Sequence, residues 1–171
     1  MKTKIKKIKL LALDVDGVLT DGKIIFDSTG REIKVFDVQD GFGIVILKEA
    51  GFKTAIITAR VSQVTAIRAK DLNIDKIYQG VYPKRIAYEK MLRDFKVTDE
   101  EVCFVADDIV DIPILKRVGF GVAVANATKE TKKVADYVTQ KEGGKGAVRE
   151  VIELILKSQG QWPKLIQEFF S

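Results

Sequence analysis

Short apolar runs alternate along the chain with longer segments whose apolar residues recur at helical spacing. The runs Ile8–Val15, Thr54–Thr58 (TAIIT), Lys76–Tyr78, Val102–Ala106 (VCFVA) and Phe120–Val124 (FGVAV) read as strands. Gly41–Ala50, Ser62–Leu72, Lys84–Phe95, Asp111–Val118, Thr128–Ala135 and Ala147–Lys157 read as helices. Local chemistry marks some of the ends. Ser62 suits an N-cap, Gly51 suits a helix stop, and Pro113 fits only a first helical turn. Strands that are apolar at nearly every position are covered on both faces, and the intervening helices supply the cover. The expectation is an α/β fold. It is a Rossmann-like, doubly wound, mostly parallel sheet, in a single domain over residues 1–171.

One stretch breaks the alternation. Lys23–Phe26 (KIIF) and Ile33–Phe36 (IKVF) flank the turn Asp27-Ser28-Thr29-Gly30, which reads as an inserted β-hairpin within residues 22–36. Its apolar residues stand at adjacent positions, so both faces are expected to be sticky. A lone hairpin is marginal in water. This one is expected to fold onto the sheet or to pair with copies in other subunits. No cap domain is expected: 38 positions separate Thr20 from Thr58 and 26 separate Thr58 from Lys84. A separate domain needs about 50 residues. Residues 141–171 read as a tail. Its Gly143-Gly144-Lys145-Gly146 is not a P-loop, which needs G-x-x-x-x-G-K-[ST] after a strand. It is either a hinge or a loop that carries Lys145 or Arg149 to a substrate. Trp162 and Phe169-Phe170 read as packing or interface residues.

Composition narrows the chemistry. Histidine is absent, which excludes Ser-His-Asp and Cys-His catalysis and histidine zinc sites. The lone Cys103, between Val102 and Phe104, reads as a core residue and excludes an intramolecular disulfide. Net charge is +5, from 29 Lys and Arg against 24 Asp and Glu. Several lysines crowd the first nine residues and read as a solubilising tail. The remaining basic residues are scattered among acids, so no nucleic-acid partner is expected. No apolar stretch approaches the ~20 residues of a membrane span, and the short run after the N-terminal lysines ends in Asp14 without a cleavage site. A cytoplasmic chain with no membrane partner is the expectation.

Ligands of parallel sheets sit beyond the carboxyl ends of the strands. Those ends carry Asp14-Val15-Asp16, Thr58, Lys84 shortly after the Lys76–Tyr78 strand, and Asp107-Asp108 with Asp111 beyond. An isolated DxD says little; the whole set says more. Hydrolysis of a phosphate monoester requires a positioned nucleophile and neutralisation of charge on the moving phosphoryl group. Mg²⁺ takes oxygen ligands and tolerates a phosphate oxygen among them, and Asp14 and Asp107 could hold it. One carboxylate can then attack phosphorus while a second, two residues on, serves as acid and then base. Thr58 and Lys84 suit the remaining phosphate oxygens. A receiver-type signalling domain uses similar parts, but keeps its phospho-acceptor mid-chain rather than on strand one.

The order DxDG(V/T)xT, strand-Thr, Lys, DDxxD resembles the haloacid dehalogenase superfamily of phosphatases. The fuller wording, DVDGVLTDG, DGFGI, IITAR, YQGVYPK, ADDIVDIPIL and ADYVTQKEGGKGAVREVIELIL, is similar to the 3-deoxy-D-manno-octulosonate 8-phosphate phosphatase family of lipopolysaccharide synthesis, over about Lys9 to Lys157. The resemblance implies Asp14 as nucleophile and Asp16 as acid and base. It implies Mg²⁺ held by Asp14, the main-chain carbonyl of Asp16, and Asp107. Thr58 and Lys84 would bind phosphate, with Asp108 and Asp111 in support. Asp37, Val38, Gln39, Asp40, Gly41, Arg60 and Arg68 would surround a sugar-acid phosphate, together with Asp16 and Lys84. It also implies a homotetramer built through the hairpins. A phosphatase for a nine-carbon sialic-type acid, or a broad sugar phosphatase, would share this wording. Ala59 and Ala106 stand where the family usually has Gly, and Gln39 and Val45 where many members have Arg. The alanines are tolerable if their φ is negative. Asp108 and Asp111 would equally serve as helix-start acids, and Arg60 and Arg68 as surface charges.

Overall fold

The computed structural model of the chain describes residues 2–168; Phe169-Phe170 lie outside the described residues. Six strands form one sheet in the order β5-β4-β1-β6-β7-β8, and every pairing in it is parallel. They are β1 (Leu10–Leu13), β4 (Lys53–Thr58), β5 (Lys76–Gln79), β6 (Val102–Ala106), β7 (Phe120–Ala123) and β8 (Tyr137–Val138). The helices are α1 (Lys2–Ile5), α2 (Val38–Glu49), α3 (Gln63–Asp71), α4 (Lys84–Phe95), α5 (Ile112–Leu115), α6 (Lys129–Val134), α7 (Ala147–Ser158) and α8 (Trp162–Glu168). Along β1 alternate side chains face opposite layers. Leu11 and Leu13 pack with Ile44 and Leu47 of α2 and Val151 and Ile152 of α7. Leu10 and Ala12 pack with Tyr88 and Met91 of α4 and Ile114 of α5. A strand sandwiched this way needs an apolar residue at every position, which is why the run is unbroken. The first strand lies centrally, with β4 and β6 on either side, and this reversal of strand order is where a parallel sheet opens its crevice.

Several limits differ from expectation. The first strand is only Leu10–Leu13, because Asp14 and Val15 already turn into the loop that follows. The Asp111–Val118 helix resolves into a 3₁₀ turn at Ile109–Asp111 and the short α5. The N-terminal lysines are not a free tail. They belong to α1 and its exit, which bury Ile5 and Ile8 in the core while Lys4 pairs with Asp136 at 2.5 Å and Lys7 with Glu100 at 2.7 Å. Strand β8 and helices α1 and α8 had no counterpart in the apolar pattern.

Nor is the segment after residue 141 peripheral. The buried face of α7 is Ala147, Val148, Val151, Ile152, Ile155 and Leu156. At about 1.5–3 kcal/mol per large apolar side chain, that face contributes on the order of the whole stability of a typical domain. Removing it would unfold the protein rather than free a site. The glycine loop before α7 is also fixed. Gly143 N–H donates to Asn126 Oδ1 at 2.7 Å, Asn126 Nδ2 donates to the Gly17 carbonyl at 3.0 Å, and Gly144 N–H donates to the Val18 carbonyl at 3.0 Å. A Cβ on Gly143 would lie 1.8 Å from the Gly17 carbonyl oxygen, so only glycine lets the two backbones touch. Trp162 of α8 lies under the Arg149 guanidinium, 5.4 Å from ring centroid to Cζ, and packs on the core edge.

The inserted hairpin is present as β2 (Ile25–Phe26) and β3 (Glu32–Ile33), antiparallel, with Ile25 opposite Ile33. Asp27 organises its turn by accepting from Thr29 N–H at 2.8 Å and Arg31 N–H at 2.9 Å. Apolar side chains are exposed on both faces, since Phe26 stands opposite Glu32 and Ile25 opposite Ile33. Ile25, Phe26, Ile33 and Val35 are exposed, Phe26 to 57% and Val35 to 69%. Glu32 and Lys34 turn into the crevice. No helix among the described residues is long and apolar enough to cross a membrane.

Candidate active site

The crevice at the carboxyl ends of β1, β4 and β6 is a cavity of about 310 Å³. Its lining includes Asp14, Asp16, Thr58, Arg60, Lys84, Asp107 and Asp108. Each side chain arrives from the element that the strand-end reasoning named.

Asp14 follows β1, and its N–H donates to the Val105 carbonyl at 3.1 Å, continuing the ladder to β6. The loop beyond it closes on Thr20. The Thr20 Oγ1 accepts from Gly17 N–H at 3.3 Å and Gly22 N–H at 3.2 Å. Gly17 has φ +89°, and a Cβ there would sit 2.0 Å from Asp107 Oδ2. Glycine after the second aspartate thus lets the β6 carboxylate approach the β1 loop. Lys84 opens α4 and is buried. Its Nζ lies 2.7 Å from Asp14 Oδ2 and 2.8 Å from Asp111 Oδ1. Burial alone would lower the Lys84 pKa, but the two carboxylates more than offset it and hold it above the ordinary lysine value.

Oxygens of Asp14, Asp107 and Asp111 lie within 4.8 Å of one another. Burial raises the Asp14 pKa, against the opposing pull of Lys84. Burial, then the Asp14 charge, pushes Asp107 up to about 7 and Asp111 likewise to about 7. One ammonium therefore faces three crowded carboxylates. Asp111 is fully buried, and neither of its oxygens has an aligned hydrogen-bond donor, although Oδ1 is ion-paired with Lys84. An all-oxygen set with excess negative charge, and with Asp111 Oδ2 unpartnered among the described residues, suits a hard divalent cation such as Mg²⁺. Asp111, read from sequence only as a supporting residue, is part of that donor cluster. Asp108 is exposed and caps the 3₁₀ turn, accepting from Ile109 N–H at 2.7 Å.

Thr58 ends β4, buried, and its Oγ1 accepts from Arg60 N–H at 3.4 Å. Arg60 Nη2 bonds Glu32 Oε1 at 2.8 Å, and its Nε lies 3.9 Å from Asp16 Oδ2. Asp16 Oδ1 is bonded by the ammonium of Lys34. Glu32 and Lys34 did not emerge from the sequence. Their alternation with Ile33 and Val35 was the available signal, and the adjacent apolar residues masked it.

The other candidates stand outside the cavity lining. Asp37 is the N-cap of α2, accepting from Gln39 N–H at 2.7 Å and Asp40 N–H at 3.0 Å, while Val38 and Gln39 are exposed on the first turn. Asp40 is buried against the start of α7, accepting from Arg149 N–H at 2.8 Å and Gly146 N–H at 3.3 Å. Burial pushes its pKa up to about 6. Gly41 gives room to Arg68, which pairs with Asp71 at 2.6 Å and lies over the Phe36 ring. Lys145 pairs with Glu142 at 2.6 Å and Arg149 with Glu153 at 2.9 Å. Neither Ala59 nor Ala106 has positive φ, so the methyl group at each is tolerated.

Comparison with known proteins gives a consistent picture. A family model described as haloacid dehalogenase-like hydrolase matches residues 48–152. The 3-deoxy-D-manno-octulosonate 8-phosphate phosphatase of Salmonella typhi is 44% identical over 159 residues, 93% of this chain and 85% of that one. A crystal structure of the Moraxella catarrhalis 3-deoxy-D-manno-octulosonate 8-phosphate phosphatase, in complex with magnesium ion, phosphate ion and KDO, superposes with a TM-score of 0.96. That match is at 44% identity and covers 98% of this chain and 97% of that one. The cobalt-bound form of the deoxy-D-mannose-octulosonate 8-phosphate phosphatase of Haemophilus influenzae superposes with a TM-score of 0.89 at 39% identity, covering 92% of each chain.

Proposed function

The chain belongs to the haloacid dehalogenase-like hydrolases, and from that premise we propose that the crevice is the active site of a magnesium-dependent phosphatase acting on 3-deoxy-D-manno-octulosonate 8-phosphate. The observation that carries the reading is Asp14, fixed by Lys84 on one side and crowded by Asp107 and Asp111 on the other. Asp14, Asp107 and Asp111, with the main-chain carbonyl of Asp16, would hold Mg²⁺, which supplies the charge neutralisation that lets a carboxylate approach a phosphate dianion. The Asp14 carboxylate attacks phosphorus as the bond to the sugar oxygen breaks, and Asp16 gives its proton to that oxygen. Asp16 then takes a proton from water. The water oxygen attacks the aspartyl-phosphate and releases inorganic phosphate and free Asp14. Thr58 and Lys84 hold phosphoryl oxygens throughout, and Arg60 faces the sugar acid.

The proposal includes assembly and location. Exposed Ile25, Phe26, Ile33 and Val35 make the hairpin an apolar projection, of the kind that marks an interface. Hairpin-to-hairpin contact in a homotetramer would cover it and wall an otherwise open crevice. A sugar acid carrying both a carboxylate and a phosphate dianion does not cross a bilayer, which supports a cytoplasmic place in lipopolysaccharide synthesis.

Phosphate release from a panel of sugar phosphates tests the reading. The panel includes the eight-carbon acid phosphate and a nine-carbon sialic-type one. The eight-carbon substrate is expected to give the highest kcat/KM with Mg²⁺. Activity should vanish in excess chelator and in Asp14→Asn. Wild-type turnover by D14N, or undiminished turnover in chelator, refutes the mechanism.

A further inference from the structure

We propose that Lys34 is a positioning residue for Asp16, and that with Glu32 it makes the inward edge of the hairpin part of the catalytic apparatus. The inference rests on the phosphatase reading above and deepens it.

The residues around β3 alternate with period two. Ile33 and Val35 face solvent, whereas the side chain of Lys34 is only 1% exposed. A long cationic side chain is seldom taken fully out of water unless its charge is matched. Here the match is specific. The Lys34 ammonium bonds Asp16 Oδ1 and lies 3.4 Å from Glu32 Oε1. Glu32 Oε1 in turn accepts from Arg60 Nη2 at 2.8 Å, and Arg60 Nε reaches back to within 3.9 Å of Asp16 Oδ2. The four side chains close a ring of alternating charge drawn from three segments: the loop after β1, the hairpin, and the loop after β4. Ser62 completes the anchorage. Its Oγ donates to Glu32 Oε2 and accepts from Thr65 N–H at 3.1 Å as the N-cap of α3.

This ring has a consequence for the proton transfers. Asp16 must present a proton to the leaving oxygen and later take one from water, from a side chain two residues beyond the nucleophile. With Oδ1 held by Lys34, the carboxyl group keeps one orientation and offers Oδ2 to the crevice in both steps. Arg60 gains a fixed direction from Glu32 in the same way. A catalytic group misplaced by about 1 Å can cost about 10²-fold in rate. A hairpin with a two-residue ladder is a weak platform by itself, and the ring ties it to the rim at both Asp16 and Ser62. Lys34 acts through Asp16 and is assigned no contact with the phosphoryl group.

Steady-state kinetics of the full-length, Mg²⁺-saturated enzyme on its best panel substrate test the assignment. K34M is expected to lower kcat by about 10–100-fold while KM changes little, and K34R to recover much of the loss. The decisive comparison is a double-mutant cycle. In a D16N background, K34M should cost almost nothing further, because the group it positions is already disabled. Multiplicative losses in the double variant, an unchanged kcat in K34M, or a raised KM at constant kcat would each overturn the assignment. K34Q, which keeps a donor without the charge, replaces K34M if that variant melts early. A wild-type enzyme inert on the whole panel would instead overturn the phosphatase reading beneath it.

Discussion

Replacing Lys84 with Met keeps the length of the side chain and removes the one ammonium between Asp14 and Asp111, which it meets at 2.7 and 2.8 Å. With metal chelated, three carboxylates then share a nearly dry site without a counter-charge. Removing one partner of a buried ion pair costs about 3–5 kcal/mol, because the other is left stranded. In a domain of this size each kcal/mol moves Tm by about 2–4 °C. The expected fall is therefore about 6–20 °C in chelator near pH 8. Two further responses separate this cause from a mere packing defect. Mg²⁺ should return more stability to K84M than to the wild type, since the cation supplies the missing charge. Lowering the pH to about 5 should shrink the deficit, since the carboxylates can then take protons. Adding Asp111→Asn to K84M should recover part of the loss by removing one stranded charge. Thermal unfolding followed by circular dichroism measures all four. A K84M protein melting within about 2 °C of the wild type in chelator near pH 8 would refute the electrostatic account of this site.

Raised carboxyl pKa values mean that folded protein keeps protons the unfolded chain has released. Asp40 is raised to about 6, and Asp107 and Asp111 to about 7. Metal-free stability should therefore fall as pH rises from about 4 to about 7. Mg²⁺ should flatten the upper part of that slope and leave the Asp40 part; urea unfolding across pH checks both, and a flat metal-free profile contradicts them. Gly143→Ala places a methyl group 1.8 Å from the Gly17 carbonyl oxygen. It should cost about 1–3 kcal/mol and lower kcat by shifting the loop that carries Asp16, whereas unchanged unfolding and kinetics would show the loop contact to be dispensable. Phe26→Asp with Val35→Asp should reduce the hydrodynamic mass to that of a monomer, and retention of the wild-type mass would move the subunit interface elsewhere.

The sheet was legible because a central parallel strand is covered on both sides. Burial on both sides keeps VCFVA apolar throughout and TAIIT free of charge, and their order along the chain leaves few ways to connect them. Elements that fell outside this logic were not legible. Strand β8 pairs only two residues with β7 at the sheet edge. Helix α1 is four residues long, and its lysines outweigh the single buried Ile5 in any reading of the pattern. The last segment was misread for a related reason. Gly143–Gly146 has the composition of a hinge, but composition cannot reveal that those glycines are small in order to let one backbone lie against another. The αL conformation of Gly144 and Gly146 has the same ambiguity, since it serves a fixed turn as well as a flexible one.

The candidate site divides along the same line. Asp14, Thr58, Lys84 and Asp107 sit at strand ends or at the start of the following helix, where chain order alone dictates a common rim. Asp16 is two residues from such an end. The groups that orient them do not follow chain order. Lys34 reaches Asp16 across 18 positions because β2 and β3 pair in the register that sets Ile25 opposite Ile33. A slip of one residue would turn Lys34 outward and put an apolar side chain against the Asp16 carboxylate. Asp40 joins α2 to the start of α7 across 106 positions for a similar reason: the two helices pack side by side, so a carboxylate one turn into α2 finds the free N–H groups at the start of α7. It therefore does a helix cap's work, a contact that the family resemblance, which implies a place beside the substrate, did not indicate. In this fold the strand-end groups are set by topology and their supports by register and helix packing, and only topology is written in the order of apolar runs.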